Sequence, residues 1–81
     1  MKKIDYRTSG TCARMIHITL DDDDIVREVV FDGGCDGNHK GIVSLCNGMK
    51  ADEVVARLRG ITCGPRDTSC PDQLARALET R

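Results

Sequence analysis

Four cysteines in this chain lie where a predicted strand or helix begins or ends. Thiols at the ends of elements can face one shared space, whereas thiols within an element are usually packing. The four are widely separated along the chain: Cys12, Cys35, Cys63 and Cys70. If their sulfurs serve one site, the fold must bring distant loops together at a single point.

The supply of large side chains limits the core that this chain can build. It has 81 residues with one Phe, one Tyr and no Trp. A domain of this size buries only about two-thirds of the surface that its unfolded chain exposes, and commonly needs disulfides or a metal as a staple. We therefore expect one domain over residues 1–81, and five cysteines supply the means for such a staple.

The charge pattern and the N-terminus bear on compartment and partners. Residues 1–7 lack the apolar stretch of a signal peptide, and no segment is long enough to cross a membrane, so we expect a cytoplasmic protein. Clustered cysteines there more often bind metals or carry out redox chemistry than form permanent disulfides. The net charge is −1, and the charged residues are interspersed without a basic stripe. We therefore expect neither nucleic acid nor a membrane as a partner.

The first half of the chain has the hydrophobic pattern of a small sheet. Residues 12–20 alternate between apolar and polar and predict a strand, residues 25–31 predict its hairpin partner, and residues 4–8 predict a short edge strand. The four aspartates from Asp21 to Asp24 lie between two apolar runs, which is typical of a solvated turn rather than a cation site.

The second half predicts three helices. The first begins with Asn38 as its N-cap and carries Ile42, Leu45 and Cys46 on its inner face; the second starts near Ala51. The third follows Cys70, which becomes the N-cap if Pro71 is the first helical residue. Strands followed by helices predict an α+β fold, with a small antiparallel sheet of two or three strands and the helices on one face.

The position of the thiols favours metal binding. A thiol at a helix N-terminus ionises more readily, and both Cys70 and Cys35 precede a predicted helix. Four thiolates suit tetrahedral zinc, although the spacing differs from the close pairs of zinc fingers. His39 could replace one cysteine as a ligand. Arg66, Lys40 and backbone N–H groups of the loops are candidates to offset the negative charge. Cys46, on an apolar helix face, is predicted to pack in the core.

Three other interpretations of the cysteines stay open. They could hold an iron–sulfur cluster, as a scaffold or carrier would. Cys63 and Cys70 could form a reversible disulfide in a thiol redox relay. Finally, all of them could be small buried packing residues.

Several motifs resemble those of the TSCPD-domain family. The most specific motif is Thr68-Ser69-Cys70-Pro71-Asp72, which is followed by Gln73-Leu74-Ala75. Two earlier segments also match: Gly33-Gly34-Cys35-Asp36-Gly37-Asn38 and Gly60-Ile61-Thr62-Cys63-Gly64. The resemblance implies that Cys12, Cys35, Cys63 and Cys70 are the family's cysteines. In that family the domain occurs alone and as a module resembling the C-terminal domain of adenosylcobalamin-dependent ribonucleotide reductases, the oxidoreductases of DNA synthesis. A second similarity, through Gly34-Cys35 and Cys70, is to iron–sulfur scaffolds of the NifU and IscU type.

Together these observations predict a cytoplasmic module that binds one metal ion, zinc in the first place, through Cys12, Cys35, Cys63 and Cys70. The resemblance implies a ribonucleoside-diphosphate reductase label, but a radical reductase needs a large barrel and a substrate pocket. We therefore expect an accessory to a ribonucleotide reductase or another reductase rather than a complete enzyme. The thin core leaves a homodimer as an alternative to a monomer.

Overall fold

The computed structural model describes residues 1–34 and 36–81, with every side chain except that of Asp36. Three strands form one antiparallel sheet in the order β1-β2-β3: β1 is Lys2–Arg7, β2 is Met15–Leu20 and β3 is Val26–Asp32. Helices α1 (Asp36–Cys46), α2 (Ala51–Leu58) and α3 (Cys70–Glu79) follow. The predicted α+β fold with a small antiparallel sheet is confirmed.

The sheet buries the face that the alternating pattern predicts. Ile16, Ile18 and Leu20 on the central strand are all buried, and Ile18 pairs with Ile4 on one side and Val29 on the other. Intervening residues of β2 are only partly buried, because successive side chains of a strand point to opposite faces. Two strand boundaries differ from prediction: β2 begins at Met15 rather than residue 12, and β1 is a full six-residue edge strand.

The aspartate run forms the predicted solvated turn. The Asp21 carboxylate accepts hydrogen bonds from the N–H groups of Asp23 (2.9 Å) and Ile25 (3.0 Å) and from Arg27 Nε (2.8 Å). These donors, the Ile25 N–H first, hold the pKa of Asp21 below its ordinary value. Asp24 adopts a φ of 61°, a left-handed conformation that Asp tolerates in turns. The Asp21 carboxylate is therefore engaged within the hairpin itself, whereas Asp22 pairs with the N-terminal amine and Asp24 with Arg81.

Helix α1 differs from prediction at its start and in its inner face. It begins at Asp36, so Asn38 lies inside the helix and is not its N-cap. Leu45, predicted to face inward, is 78% exposed, whereas His39 and Cys46 are buried and Ile42 is partly buried. Residues 39, 42 and 46 follow the i, i+3, i+7 spacing of one helix face, and position 45 falls outside that face.

The remaining helices complete the layer over the sheet. Val54 of α2 and Leu74 and Leu78 of α3 are buried in the same core as the strands, and α2 packs against α3. None of the helices in the described ranges has both the length and the apolar character needed to span a membrane.

Candidate thiol site

Three of the four predicted cysteines line one cavity. Cys12, Cys63 and Cys70 border a space of about 380 Å³, together with His39 and Arg66. Cys35, the fourth predicted ligand, lies outside the described residues. Each described cysteine is a free thiol. Three separate segments of the chain therefore present thiols to one space.

The three thiols come from different structural settings. Cys12 is exposed in the loop of residues 8–14, which joins β1 to β2. Cys63 is exposed in the loop of residues 59–69 between α2 and α3; its carbonyl accepts the Arg66 N–H at 3.1 Å, which closes a tight turn. Cys70 is the first residue of α3 and only 8% exposed. Two exposed loop thiols and one buried thiol on a helix thus border the same cavity.

Ser69, rather than Cys70, is the N-cap of α3, so the prediction of a cysteine cap was wrong. Its Oγ accepts the Asp72 N–H at 3.1 Å and donates to the Ile61 carbonyl at 2.7 Å. A hydroxyl oxygen is a good acceptor for such a cap, whereas a thiol is a weak one. Because Ser69 takes the capping role, the Cys70 sulfur remains at the cavity while still lying at the positive end of the helix.

Asp72 anchors the start of α3 from inside the protein. Its carboxylate is fully buried and accepts hydrogen bonds from Thr68 Oγ1, from the Gly60 N–H (2.7 Å) and from Arg76 Nε (2.8 Å). Burial alone would raise the pKa of Asp72, but these bonds and the Arg76 charge outweigh it and lower the pKa to about 2. The loop that carries Cys63 is therefore tied to the helix that carries Cys70.

Gln73 joins the same helix to the loop that carries Cys12. Its Oε1 accepts the Ser9 N–H at 3.1 Å, and its Nε2 donates to Thr68 Oγ1 at 3.0 Å. The sequence places Asp72 and Gln73 in the first turn of α3, but it does not predict their hydrogen bonds to Gly60 and Ser9. A Ser three residues before an acidic residue is the signature of a capping box, and this signal could have identified Ser69 and Asp72. Nothing local marks Gln73, whose partner Ser9 is far away in sequence.

A glycine bend packs against the Cys12 loop and His39. Gly34 has a φ of +89°, and a Cβ there would lie 2.5 Å from His39 Cε1 and 3.2 Å from the Ala13 nitrogen. A Cβ on Gly33 would lie 3.6 Å from the Cys12 carbonyl oxygen. Only glycine permits both this backbone conformation and this close approach. The backbone of the two glycines therefore packs against the Cys12 loop and against His39, and both of these neighbours border the thiol cavity.

His39 and Cys46 occupy the inner face of α1 with different surroundings. The His39 ring is 7% exposed and stacks on Phe31, with centroids 4.1 Å apart and planes at 18°, while also bordering the thiol cavity. Cys46 is 4% exposed within the hydrophobic core, and burial raises the pKa of its thiol. The prediction that Cys46 is a packing residue is confirmed.

The donor chemistry of the cavity fits a thiophilic ion, although the described side chains do not form a complete site. Within residues 1–34 and 36–81, no three His, Cys, Asp or Glu side chains are grouped closely enough to hold a metal ion. Thiolates are the soft ligands that zinc and iron–sulfur clusters prefer. Cys12 and Cys63 are on loops, so their sulfurs can approach Cys70 without rearrangement of the sheet or helices.

The comparison with protein families matches residues 2–81 to the model of the TSCPD domain. The chain belongs to the TSCPD domain family. No curated protein and no solved structure gives a significant match, so the similarity to NifU- and IscU-type scaffolds stays a prediction. In this TSCPD domain, four of the residues in Thr68–Asp72 have distinct roles. Thr68 and Ser69 each bond to Asp72, Ser69 also bonds to Ile61, and Cys70 borders the cavity.

Proposed function

We propose that this TSCPD domain binds one zinc ion through Cys12, Cys35, Cys63 and Cys70 and serves as an accessory module of a ribonucleotide reductase or another reductase. The observation that carries the proposal is the shared cavity bordered by Cys12, Cys63 and Cys70. Cysteines that only fill space in a core have no reason to face one cavity from three separate segments.

Positive charge lies near this cavity. Cys70 is in the first turn of α3, where the helix dipole favours negative charge. Arg66 borders the cavity and supplies a positive charge beside Cys63. One divalent ion with four thiolates carries a net charge of −2, so a flanking guanidinium and helix N-terminus favour the loaded state.

The surroundings of Cys35 support including it in the ligand set. The residue before it, Gly34, packs on Ala13 and His39, and the nearby Asn38 and His39 both border the cavity. The resemblance to the TSCPD family implies that Cys35 belongs with the other three cysteines. We therefore propose Cys35 as the fourth ligand of a closed tetrahedral site.

A closed site with four protein ligands has a structural rather than a catalytic role, because no coordination position remains for a substrate. Zinc has no redox chemistry and contributes its binding free energy to folding. In this domain it would join the loop of residues 8–14, the glycine bend and the loop of residues 59–69 to α3. The resulting rigid surface suits docking to a larger enzyme, in keeping with the resemblance to a C-terminal reductase module.

Native mass spectrometry of protein purified without chelator tests the metal. We expect one zinc ion per chain, lost when Cys12, Cys63 or Cys70 is replaced by Ser, and retained in the matched control Cys46→Ala. Less than about half an equivalent of any transition metal would contradict the proposal. Iron with inorganic sulfide would instead identify a cluster scaffold, and a metal-free protein with a reversible Cys63–Cys70 disulfide would identify a thiol relay.

A titration with a purified adenosylcobalamin-dependent ribonucleotide reductase tests the partner. We expect the zinc-loaded domain to bind in isothermal calorimetry, and the Cys70→Ser variant to bind more weakly because its loops are not held. Equal binding of the reductase by the two proteins would show that docking does not depend on the metal.

A further inference from the structure

One face of the sheet is left uncovered by the helices. Ile4, Ile16 and Val29 face the helices and the core, so their neighbours along each strand point the opposite way. We call the surface that these neighbours form the outer sheet face. Its residues on the two outer strands are all exposed: Lys3, Asp5 and Arg7 on β1, and Glu28, Val30 and Asp32 on β3.

Opposite charges lie at opposite edges of the outer sheet face, in the same rows across the strands. Through their common partners on β2, the strand register places Lys3 and Glu28 at the two ends of one row. It places Arg7 and Asp32 at the two ends of another row, four residues further along each strand. Both rows therefore have a basic residue on β1 and an acidic residue on β3.

These charges do not pair with each other within the chain. The two ends of a row are about 10 Å apart at the usual strand spacing, with a residue of β2 between them. Within the described residues, Lys3, Arg7 and Glu28 take part in no ion pair, while Asp32 lies 3.6 Å from the guanidinium of Arg14. Three of the four charges are thus open to a partner.

A second copy of the chain matches this pattern under one symmetry operation. A two-fold axis that lies in the interface and runs along β2 places β1 of one copy over β3 of the other, with the rows at the same height. Lys3 of each copy then faces Glu28 of the other, and Arg7 faces Asp32. An axis perpendicular to the strands in the same plane would instead bring Lys3 against Arg7, and like charges disfavour that arrangement.

The ordinary angle between packed sheets preserves this match. Aligned sheets pack with their strands about 30° apart, which displaces the outer strands by about 2.4 Å along the strand direction. The two charged rows are about 13 Å apart, because four residues separate them on each outer strand. Each basic side chain therefore still meets the acidic side chain of its own row.

The centre of the outer sheet face can be covered without leaving a polar group unpaired. Met15, His17 and Thr19 on β2 are only partly exposed, and Val30 beside them is 47% exposed. In the two-fold arrangement, Asp5 lies under Val30 of the second copy. Its carboxylate is already hydrogen-bonded to His17 Nδ1 at 2.6 Å within the chain, so it keeps a polar partner when it is covered.

We propose that two copies of this chain associate through their outer sheet faces, with Lys3 paired to Glu28 and Arg7 to Asp32 across a two-fold axis. Three strands of six or seven residues present about 300 Å² of planar area, which is small beside the about 800 Å² per partner of a stable interface. The association is therefore weak, with an expected Kd of about 0.1 mM. The described lining of the thiol cavity includes none of these residues, so the association does not depend on a metal.

Sedimentation equilibrium of two charge-reversal variants at low ionic strength tests the pairing. Lys3→Glu and Glu28→Lys each bring like charges together across the axis, so each variant alone should associate at least about 10-fold more weakly than the wild type. In an equimolar mixture of the two variants, one pair has its charges exchanged and the other is native, so both are attractive. We expect the mixture to associate as tightly as the wild type.

The matched controls make the same charge changes outside the outer sheet face. Lys50→Glu and Glu53→Lys alter exposed residues at the start of α2 and should leave the Kd within about twofold of the wild-type value. A mixture that associates no better than its separate variants would overturn the inference, as would a wild-type protein that is monomeric at about 1 mM. Association that neither variant weakens would place the contact on another surface and equally overturn it.

Discussion

Replacing Asp72 with Asn is expected to destabilise the domain by about 3 kcal/mol at neutral pH. The buried carboxylate accepts three hydrogen bonds, from Gly60, Thr68 and Arg76. Asparagine is nearly isosteric but offers one acceptor oxygen and two N–H donors, so at least one of these donors must face another donor. The change therefore removes a charge and leaves a buried polar group without its partner.

The magnitude follows from the number and type of bonds. Hydrogen bonds to a charged group contribute about 1.5–3 kcal/mol each, and at least one of them is lost outright. The ion-pair contribution is smaller, because Arg59 and Arg76 are 43% and 41% exposed and water screens their charges. A loss of about 3 kcal/mol would lower the melting temperature of a domain of this size by about 15 °C.

The same carboxylate gives the domain a specific acid sensitivity. Its pKa falls from an ordinary 3.8 to about 2 in the folded state. A depressed folded pKa contributes stability that is complete above the unfolded pKa and is lost as pH falls through the folded one. Asp72 should therefore account for a loss of about 2 kcal/mol between pH 5 and pH 2, which the Asn variant cannot show.

Urea unfolding followed by far-ultraviolet circular dichroism at several pH values between 2 and 7 measures both effects. The matched control is Glu53→Gln, which removes a carboxylate from an exposed i, i+4 pair with Arg57 and is expected to change stability by less than about 0.5 kcal/mol. The reasoning is refuted if Asp72→Asn is as stable as the control at pH 7, or if its stability falls as steeply as that of the wild type in acid.

Three further outcomes follow from the packing of single residues. Ser69→Ala should cost about 1–2 kcal/mol in urea unfolding, because α3 loses its N-cap hydroxyl and the bond to the Ile61 carbonyl. Leu45→Ala should be nearly neutral, within about 0.5 kcal/mol, whereas Cys46→Ala should cost about 1 kcal/mol by calorimetry, since only Cys46 is in the core. In the metal-free folded protein, iodoacetamide should modify Cys12 and Cys63 much faster than Cys46, as peptide mass mapping would show, because the first two are exposed and burial raises the pKa of Cys46.

The sheet was predictable because its signal is local and repeated. Alternation along β2 identifies the buried face, and the aspartate run marks the hairpin turn. The inner face of α1 was less predictable from the sequence. Ile42 and Cys46 can share a helix face with either Leu45 or His39, and hydrophobicity alone favours Leu45 as the buried residue. The structure selects His39 because the ring can stack on Phe31, a contact that depends on tertiary placement.

For the candidate site, the sequence indicated which thiols to examine but not what holds their segments in place. Cys12, Cys63 and Cys70 do border one cavity, while their role as metal ligands, and that of Cys35, stays a prediction. The buried polar partners were not foreseen, because Gln73 and Ser9 are separated by most of the chain and neither carries a periodic signal. The N-cap was misassigned by one residue because proline fits both the first and the second position of a helix.

The two hydrogen bonds of the Gln73 amide affect which sequence changes in the neighbouring loops this domain can tolerate. One side-chain amide bonds to both the Ser9 backbone and the Thr68 hydroxyl. The distance between the loop of residues 8–14 and the loop of residues 59–69 is therefore set by a buried residue of α3 rather than by the sequences of the two loops. Insertions at the outer tips of those segments can then leave the distances between sulfurs nearly constant. Shortening Gln73 to Ala would instead release the Ser9 segment, while Asp72 would still hold Thr68, although no sulfur atom had been touched.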